Sequence, residues 1–167
     1  MSGWNPGDPL VISSWADASW ADNLATRKSS YGYCVRINRC LVSWQSRLTP
    51  QVAHSTTEAE YVATNEAVKE MVHLTMLLED LGFAVAKPCG LWSDNAGVIS
   101  LGANPKLMQR SKHINLHHHY VQNMVAENRV ALKKVAGQEN VVDIFTKSLG
   151  GDRFGMLRDA LVTRIKG

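Results

Sequence analysis

The sequence predicts an α/β domain built on a mixed five-stranded sheet flanked by helices. Two observations carry this expectation. The chain opens with three extended segments, two of them joined by a short turn, and it then alternates helical and extended patterns. Hairpin links make the first three strands antiparallel, and helical crossovers then make parallel pairs. A length of 167 residues is most simply one domain, with 1–9 as an extension or linker and 10–167 as the domain itself.

In chain order, "PLVISSWADAS" alternates and is rich in β-branched and aromatic residues, which predicts a strand ending near Asp17. "WADNLATRKSS" is polar and turn-like. "YGYCVRI" and "CLVSWQS" flank the dipeptide "NR", the pattern of a β-hairpin. Residues 55–81 carry the longest helical pattern, stopped by Gly82. "PCGLWSD" predicts a short strand, and "NAGVISLGAN" a short helix closed by Asn104-Pro105. "SKHINLHHHYVQNMVAEN" predicts a further helix and "RVALKKVA" a strand with a basic half. "ENVVDIFTKSL" and "DRFGMLRDALVTRIK" both have helical spacing, the last giving a C-terminal helix over about 151–166.

Composition narrows the class. Hydrophobic content of 45% and charged content of 20% are ordinary for a globular domain. No apolar run approaches the length of a membrane span, and "MSGWNPGDPL" has no signal-peptide core. The three cysteines, Cys34, Cys40 and Cys89, form no CxxC pair, so a reducing compartment is expected rather than a disulfide framework. Net charge is +3 but unevenly spread: residues 1–105 carry 7 Lys/Arg against 10 Asp/Glu, and residues 106–167 carry 11 against 5. An acidic part joined to a basic part suits a protein that holds metal ions and touches a polyanion, although scattered surface charge gives the same count.

"HSTTEAEY" opens the long helix with two glutamates, and helical phase separates them. At 3.6 residues per turn, positions 58 and 60 point about 200° apart. From Glu60 the spacing leads through Thr64, Ala67, Met71, Leu74, Leu78 and Leu81, an apolar stripe; from Glu58 it leads through Val62, Asn65, Lys69, His73, Met76 and Asp80, a mainly solvated one. Glu58 also stands three residues after Ser55, the capping-box spacing. Glu60 is thus expected to face inward, the competing arrangement being a capping box of Thr57 with Glu60. A carboxylate entering a core edge costs several kcal/mol unless paired or metal-bound.

Candidate partners are aspartates at element ends. Asp17 and Asp94 close the first and fourth strands, and sites in open α/β sheets form at the carboxyl ends of strands. Asp143 lies in a helix start among apolar neighbours. Each alone is an ordinary strand-exit or cap residue. Four carboxylates from four elements would repel one another unless a divalent cation neutralised them. Oxygen-only ligation suits Mg²⁺ or Mn²⁺, and two such ions about 4 Å apart cleave phosphodiesters.

Other features are weaker. His113, His117, His118 and His119 are clustered, but zinc would need further ligands. Lys106, Arg110, Lys112 and His113 form a basic run, and Arg27 and Lys28 a second; either can contact phosphates or be a solvated face. Asn95 either reaches a base edge or sugar hydroxyl or caps the following helix. Trp15, Trp20, Trp44 and Trp92 are expected mostly in the core. No GxSxG elbow supports serine-hydrolase chemistry.

Taken together, "WADASWADNLATRKSSYGYCV", "VSWQS", "HSTTEAEYVAT", "LWSDNAGVISL", "NPKLMQRSKHINL" and "ENVVDIFTKSL" resemble the ribonuclease H domain of copia-type LTR retrotransposon Pol polyproteins, over roughly residues 10–160 and in the same order. The resemblance implies a ribonuclease H-like fold and an endoribonuclease that hydrolyses the RNA strand of RNA/DNA hybrids during reverse transcription. It implies two Mg²⁺ ions, with Mn²⁺ as a substitute, and no small-molecule cofactor. Carried residue by residue, the catalytic and metal-binding acids are Asp17, Glu60, Asp94 and Asp143. With a hybrid as substrate, the residues expected to contact it from their own chemistry are Arg27, Lys28, Asn95, Lys112 and His113. The implied partners are the hybrid and a reverse transcriptase domain of the same polyprotein, with no membrane, in the cytoplasm (a virus-like particle) or nucleus. Two departures from the family pattern stand out. Ser19 replaces an acid two residues after Asp17, and Asn115 replaces the acid of a "KHID" block. The histidine that cellular ribonucleases H often carry before the last acid is absent from "VAGQENVVD", where Glu139 is either its stand-in or a helix-start residue. The alternatives are an inactive or domesticated domain that binds hybrid or reverse transcriptase, and a structure-selective DNA nuclease.

Overall fold

The computed structural model describes residues 5, 7–20, 28–49, 55–103 and 112–162, with the side chains of residues 101–103 and 112–118 excepted. Five strands form one sheet in the order β3-β2-β1-β4-β5. They are β1 (Ile12–Ser19), β2 (Ser30–Ile37), β3 (Cys40–Leu48), β4 (Cys89–Ser93) and β5 (Val130–Lys134). β1 pairs antiparallel with β2, and β2 with β3; β1 pairs parallel with β4, and β4 with β5. The mixed sheet expected from the element order is the one observed. The hairpin turns where predicted, with Asn38 at φ 56 in the left-handed region that asparagine tolerates better than most residues.

The helices are α1 (Thr56–Asp80), α2 (Ala96–Ala103), α3 (Lys112–Ala126), α4 (Asp143–Thr146) and α5 (Gly151–Leu161). α1 begins as its sequence predicts: Ser55 is the N-cap and its hydroxyl accepts from the Glu58 backbone N–H at 3.1 Å. It ends at Gly82, whose φ of 85° lies in the region that favours glycine. The single helical segment expected over "ENVVDIFTKSL" is instead a 3₁₀ turn (Gly137–Glu139) followed by the one-turn α4. Asn140 breaks the run between them, its carbonyl and side chain accepting from Asp143 and Val142. α5 ends at Leu161, and residues 163–166 of the longer helix expected there lie outside the described residues.

The two faces of the sheet are covered differently. Along β1, Ile12, Ala16 and Ala18 point toward α1 and join Ala59, Ala63, Ala67, Val68 and Met71 in the main core. On the other face, Cys34, Val141, Val142 and Leu161 form a smaller cluster beneath α4 and α5, with Trp15, Leu41, Ile144 and Phe145 packed against it. The period of two along β1 therefore sends Trp15 and Asp17 to the α4 side.

The apolar stripe of α1 is borne out through Met71 and fades beyond it, Leu81 being exposed. Asn65, expected on the solvated stripe, is buried, because the helix is packed over more than half its circumference near the sheet. Of the four tryptophans expected mostly in the core, none is fully buried. Trp15 and Trp92 are half-buried, and Trp20 and Trp44 are exposed, Trp44 to 60%. Trp44 lies on β3, the strand at one edge of the sheet.

Candidate functional site

Asp17 and Asp94 are brought level by the parallel register. Trp15 pairs with Trp92, and each aspartate stands two residues beyond, Asp17 inside β1 and Asp94 just past the end of β4. The pairing is reinforced by the two indoles, stacked at 5.0 Å between centroids and 15° between planes. Arg36 lies 4.9 Å from the Trp15 ring centre and Lys133 4.9 Å from that of Trp92. Glu60 reaches the same place from the first turns of α1, so the inward phase derived from its helix is observed. Carboxylate oxygens of Asp17, Glu60 and Asp94 lie within 4.8 Å of one another.

Asp17 and Glu60 are buried and Asp94 is half-buried. Burial pushes the Glu60 carboxyl up to about 9, with the charges of Asp17 and Asp94 adding to the rise and the Ala18 backbone N–H and Lys147 opposing it. Burial likewise raises Asp17, against a hydrogen bond from Thr146 and the charge of Lys147. Oε2 of Glu60 is buried and accepts no hydrogen bond. A buried acceptor without a donor, facing two further carboxylates, fits a hard divalent cation: all three donors are oxygens, and a cation would satisfy the atom that the protein leaves unpaired.

Asp143 stands at the start of α4, buried, beside this trio. It is not among the three convergent acids. Its Oδ1 accepts from Lys147 Nζ at 2.6 Å and its Oδ2 from Arg153 Nη2 at 2.7 Å. Lys147 also lies 3.4 Å from Asp17 Oδ2, and the Thr146 hydroxyl donates to that same oxygen. Burial pulls the Lys147 amine down, but the hydrogen bond to Asp143 and the charges of Asp17, Asp143 and Asp94 outweigh it and the net shift is upward.

Two glycines let the parts approach. A Cβ on Gly32, opposite Asp17 in β2, would meet Phe145 Cβ at 3.0 Å and Thr146 Cγ2 at 3.1 Å, so the bare backbone there seats α4 against the sheet. A Cβ on Gly137 would stand 3.2 Å from Asp94 Oδ2.

Of the expected nucleic-acid contacts, Asn95 caps α2, its Oδ1 accepting from Gly97 and Val98 N–H at 2.8 and 3.2 Å. Lys28 is half-buried at the start of the described segment that leads into β2. Arg27 lies outside the described residues, and Lys112 and His113 open α3 with side chains that are not described. Thr146, Lys147 and Arg153 were not anticipated. The i, i+4 spacing of Asp143 and Lys147 is a signal that could have found Lys147. Arg153, on the next helix, has no local signal at all.

No protein-family model matches the chain. It is 34% identical over 153 residues to the retrovirus-related Pol polyprotein from transposon TNT 1-94 of Nicotiana tabacum, a match covering 92% of this chain and 11% of that protein. It is 31% identical over 160 residues to the Pol polyprotein from transposon RE1 of Arabidopsis thaliana, covering 95% of this chain and 11% of that one. The chain therefore spans about a tenth of the length of these relatives. Among solved structures, it is similar to the N-terminal RNase H domain of a Mycobacterium tuberculosis protein, with a TM-score of 0.62 at 13% identity over 90% of this chain and 98% of that one. It is also similar to LC11-RNase H1, solved in complex with an RNA/DNA hybrid, with a TM-score of 0.57 at 11% identity over 77% of this chain and 88% of that one. At such identities these likenesses speak for the fold, and the fold is that of the ribonucleases H.

Proposed function

The chain belongs to the retrovirus-related Pol polyproteins of transposons, as a segment with the ribonuclease H fold, and we propose that it is a copia-type ribonuclease H that cleaves the RNA strand of RNA/DNA hybrids. The observation that carries this reading is the convergence of Asp17, Glu60 and Asp94, with Glu60 Oε2 buried and unpaired. Four acids, Asp17, Glu60, Asp94 and Asp143, would hold two Mg²⁺ ions, with Mn²⁺ as a substitute. The chemistry such ions supply when bound is a more acidic water and a neutralised leaving oxygen.

The chain's own residues supply the rest. Glu60 offers an inward oxygen that no protein donor satisfies, and Asp17 is oriented by Thr146. Asp94 is fixed by the register of β4 on β1, and Asp143 is held in place by Arg153. Burial of Asp17 and Glu60 limits competing water and strengthens the cluster's hold on a cation. The hybrid is the proposed partner, together with a reverse transcriptase domain of the same polyprotein, in an intracellular setting. No helix among the described residues is long and apolar enough to cross a membrane.

The test is a labelled RNA/DNA hybrid beside double-stranded DNA and double-stranded RNA, each with Mg²⁺, Mn²⁺ or EDTA. Only the RNA strand of the hybrid should be cut, and only with a divalent ion. Asp94→Asn and Glu60→Gln should each lower the rate by more than ~100-fold while the protein stays folded. Full Mg²⁺-dependent cleavage by Glu60→Gln would sink the assignment. Binding of the hybrid without cleavage of any substrate would instead favour an inactive binding module.

A further inference from the structure

The four acids are not equally free to take a cation. Glu60 has a buried oxygen with no donor, whereas both oxygens of Asp143 are already matched by basic groups. The Lys147 ammonium lies 2.6 Å from Asp143 Oδ1 and 3.4 Å from Asp17 Oδ2, so one cation sits between a strand acid and a helix acid. Arg153 takes the other Asp143 oxygen at 2.7 Å and also donates to the Gly137 and Gln138 carbonyls at 3.1 and 3.2 Å.

In their ionised forms, four carboxylates facing two basic side chains leave an excess of two negative charges. One divalent ion cancels it. A second then meets a neutral cluster unless a resident cation withdraws. The two residents differ in how firmly they are held. Arg153 is a planar fork bound to three acceptors, one carboxylate and two carbonyls, while Lys147 is a compact charge on a flexible stem whose partners are the Asp143 and Asp17 carboxylates. Lys147 is the one able to swing out to water.

We propose that Lys147 is a resident counter-ion standing between Asp17 and Asp143, so that a second divalent ion binds only by displacing its ammonium. Lys147 thereby makes the second ion bind more weakly than the first, which Asp17, Glu60 and Asp94 take at the cost of the looser 3.4 Å contact to Asp17 while the ammonium keeps its 2.6 Å contact to Asp143. This rests on the metal-centre reading above and assigns a residue that sets the occupancy of that centre.

The experiment is calorimetric titration of the substrate-free protein with Mn²⁺, independent of any cleavage assay. The protein as it stands should bind a first ion and then, more weakly, a second. Lys147→Met, and Lys147→Gln as a second neutral variant, should tighten the second step by about tenfold or more and leave the first within a few-fold. Lys147→Arg, which keeps the charge, should retain the weak second step, and Asp143→Asn should remove that step with or without Lys147. Circular dichroism before titration checks that each variant is folded. An unchanged or weaker second step in both neutral variants, with a normal first step, overturns the role of Lys147 alone. A protein that takes up no Mn²⁺, with Glu60→Gln indistinguishable from it, overturns the metal centre and this inference together.

Discussion

At Glu60, a single residue links burial, pH and metal. Its carboxyl is raised from 4.5 to about 9, first by burial and then by Asp17 and Asp94. Between those values the folded protein holds a proton that the unfolded chain has released. This group's contribution to stability is therefore fully present below the lower value and is lost as pH rises toward about 9. In EDTA, thermal unfolding midpoints should fall with rising pH across that window, and Glu60→Gln should flatten the trend. A divalent ion needs the ionised form, so metal binding near neutral pH should release a proton, detectable by calorimetry in buffers of different ionisation heat. No buffer dependence would contradict the raised carboxyl. The neighbouring Glu58 tells the opposite story. It stands beside the Ser55 cap, and Ser55→Ala should cost about 1 kcal/mol in urea unfolding, while Glu58→Gln should cost no more than that.

At the scale of elements, α4 closes one side of the site against β1 and β2, and Gly32 sets how close they come. Gly32→Ala places a methyl at 3.0 Å from both the Gln45 carbonyl and Phe145 Cβ, so either the β2–β3 pair or α4 must give. The expected cost is about 1–3 kcal/mol by urea unfolding. A shift of α4 would also loosen the hold of Thr146 on Asp17, so metal affinity should fall along with stability. Full metal affinity in a destabilised Gly32→Ala would place the give in β3 instead. Gly90 is the corresponding device for the indole stack. A Cβ there would stand 2.6 Å from the Trp92 ring, which stacks on Trp15. Gly90→Ala should therefore abolish the coupled-indole signal in near-ultraviolet circular dichroism.

At the scale of the whole molecule, one sheet separates a large core from a small one, and the acids gather at the carboxyl ends of β1 and β4, with Glu60 reaching in from α1. Met71 is fully buried in the large core between α1 and the sheet. Met71→Ala should cost about 2–5 kcal/mol in urea unfolding. The uneven charge along the chain bears on the polyanion. Under the proposed function, the C-terminal part, with 11 Lys/Arg against 5 Asp/Glu, would add its positive charge to phosphate contacts from Arg27 and Lys28. Hybrid affinity should therefore fall steeply with added salt, as counterion release requires. A salt-independent affinity would argue against a phosphate-dominated interface.

Much of this protein was determined by local periodicity. Alternation along "PLVISSWADAS" and the 3.6-residue phase of α1 are properties of a short stretch. They assigned Asp17 to a strand, Glu58 to a cap and Glu60 to the interior with no knowledge of the partner elements. The element order likewise dictated the antiparallel start and the parallel crossovers of the sheet, because connection length constrains strand direction. The tertiary structure alone decided what meets across long separations. Thr146 reaches Asp17 across 129 positions, and Arg153 grips Asp143 from a different helix. α4 is only four residues long and too short to show a period, so nothing local said which way Lys147 would turn. Asn65 and Trp44 mislead for the same reason: burial is set by what packs against a face, and that neighbour is written elsewhere in the chain. The sequence by itself supplied the acids and their facing, and packing decided which of them stand open to a cation and which are already matched.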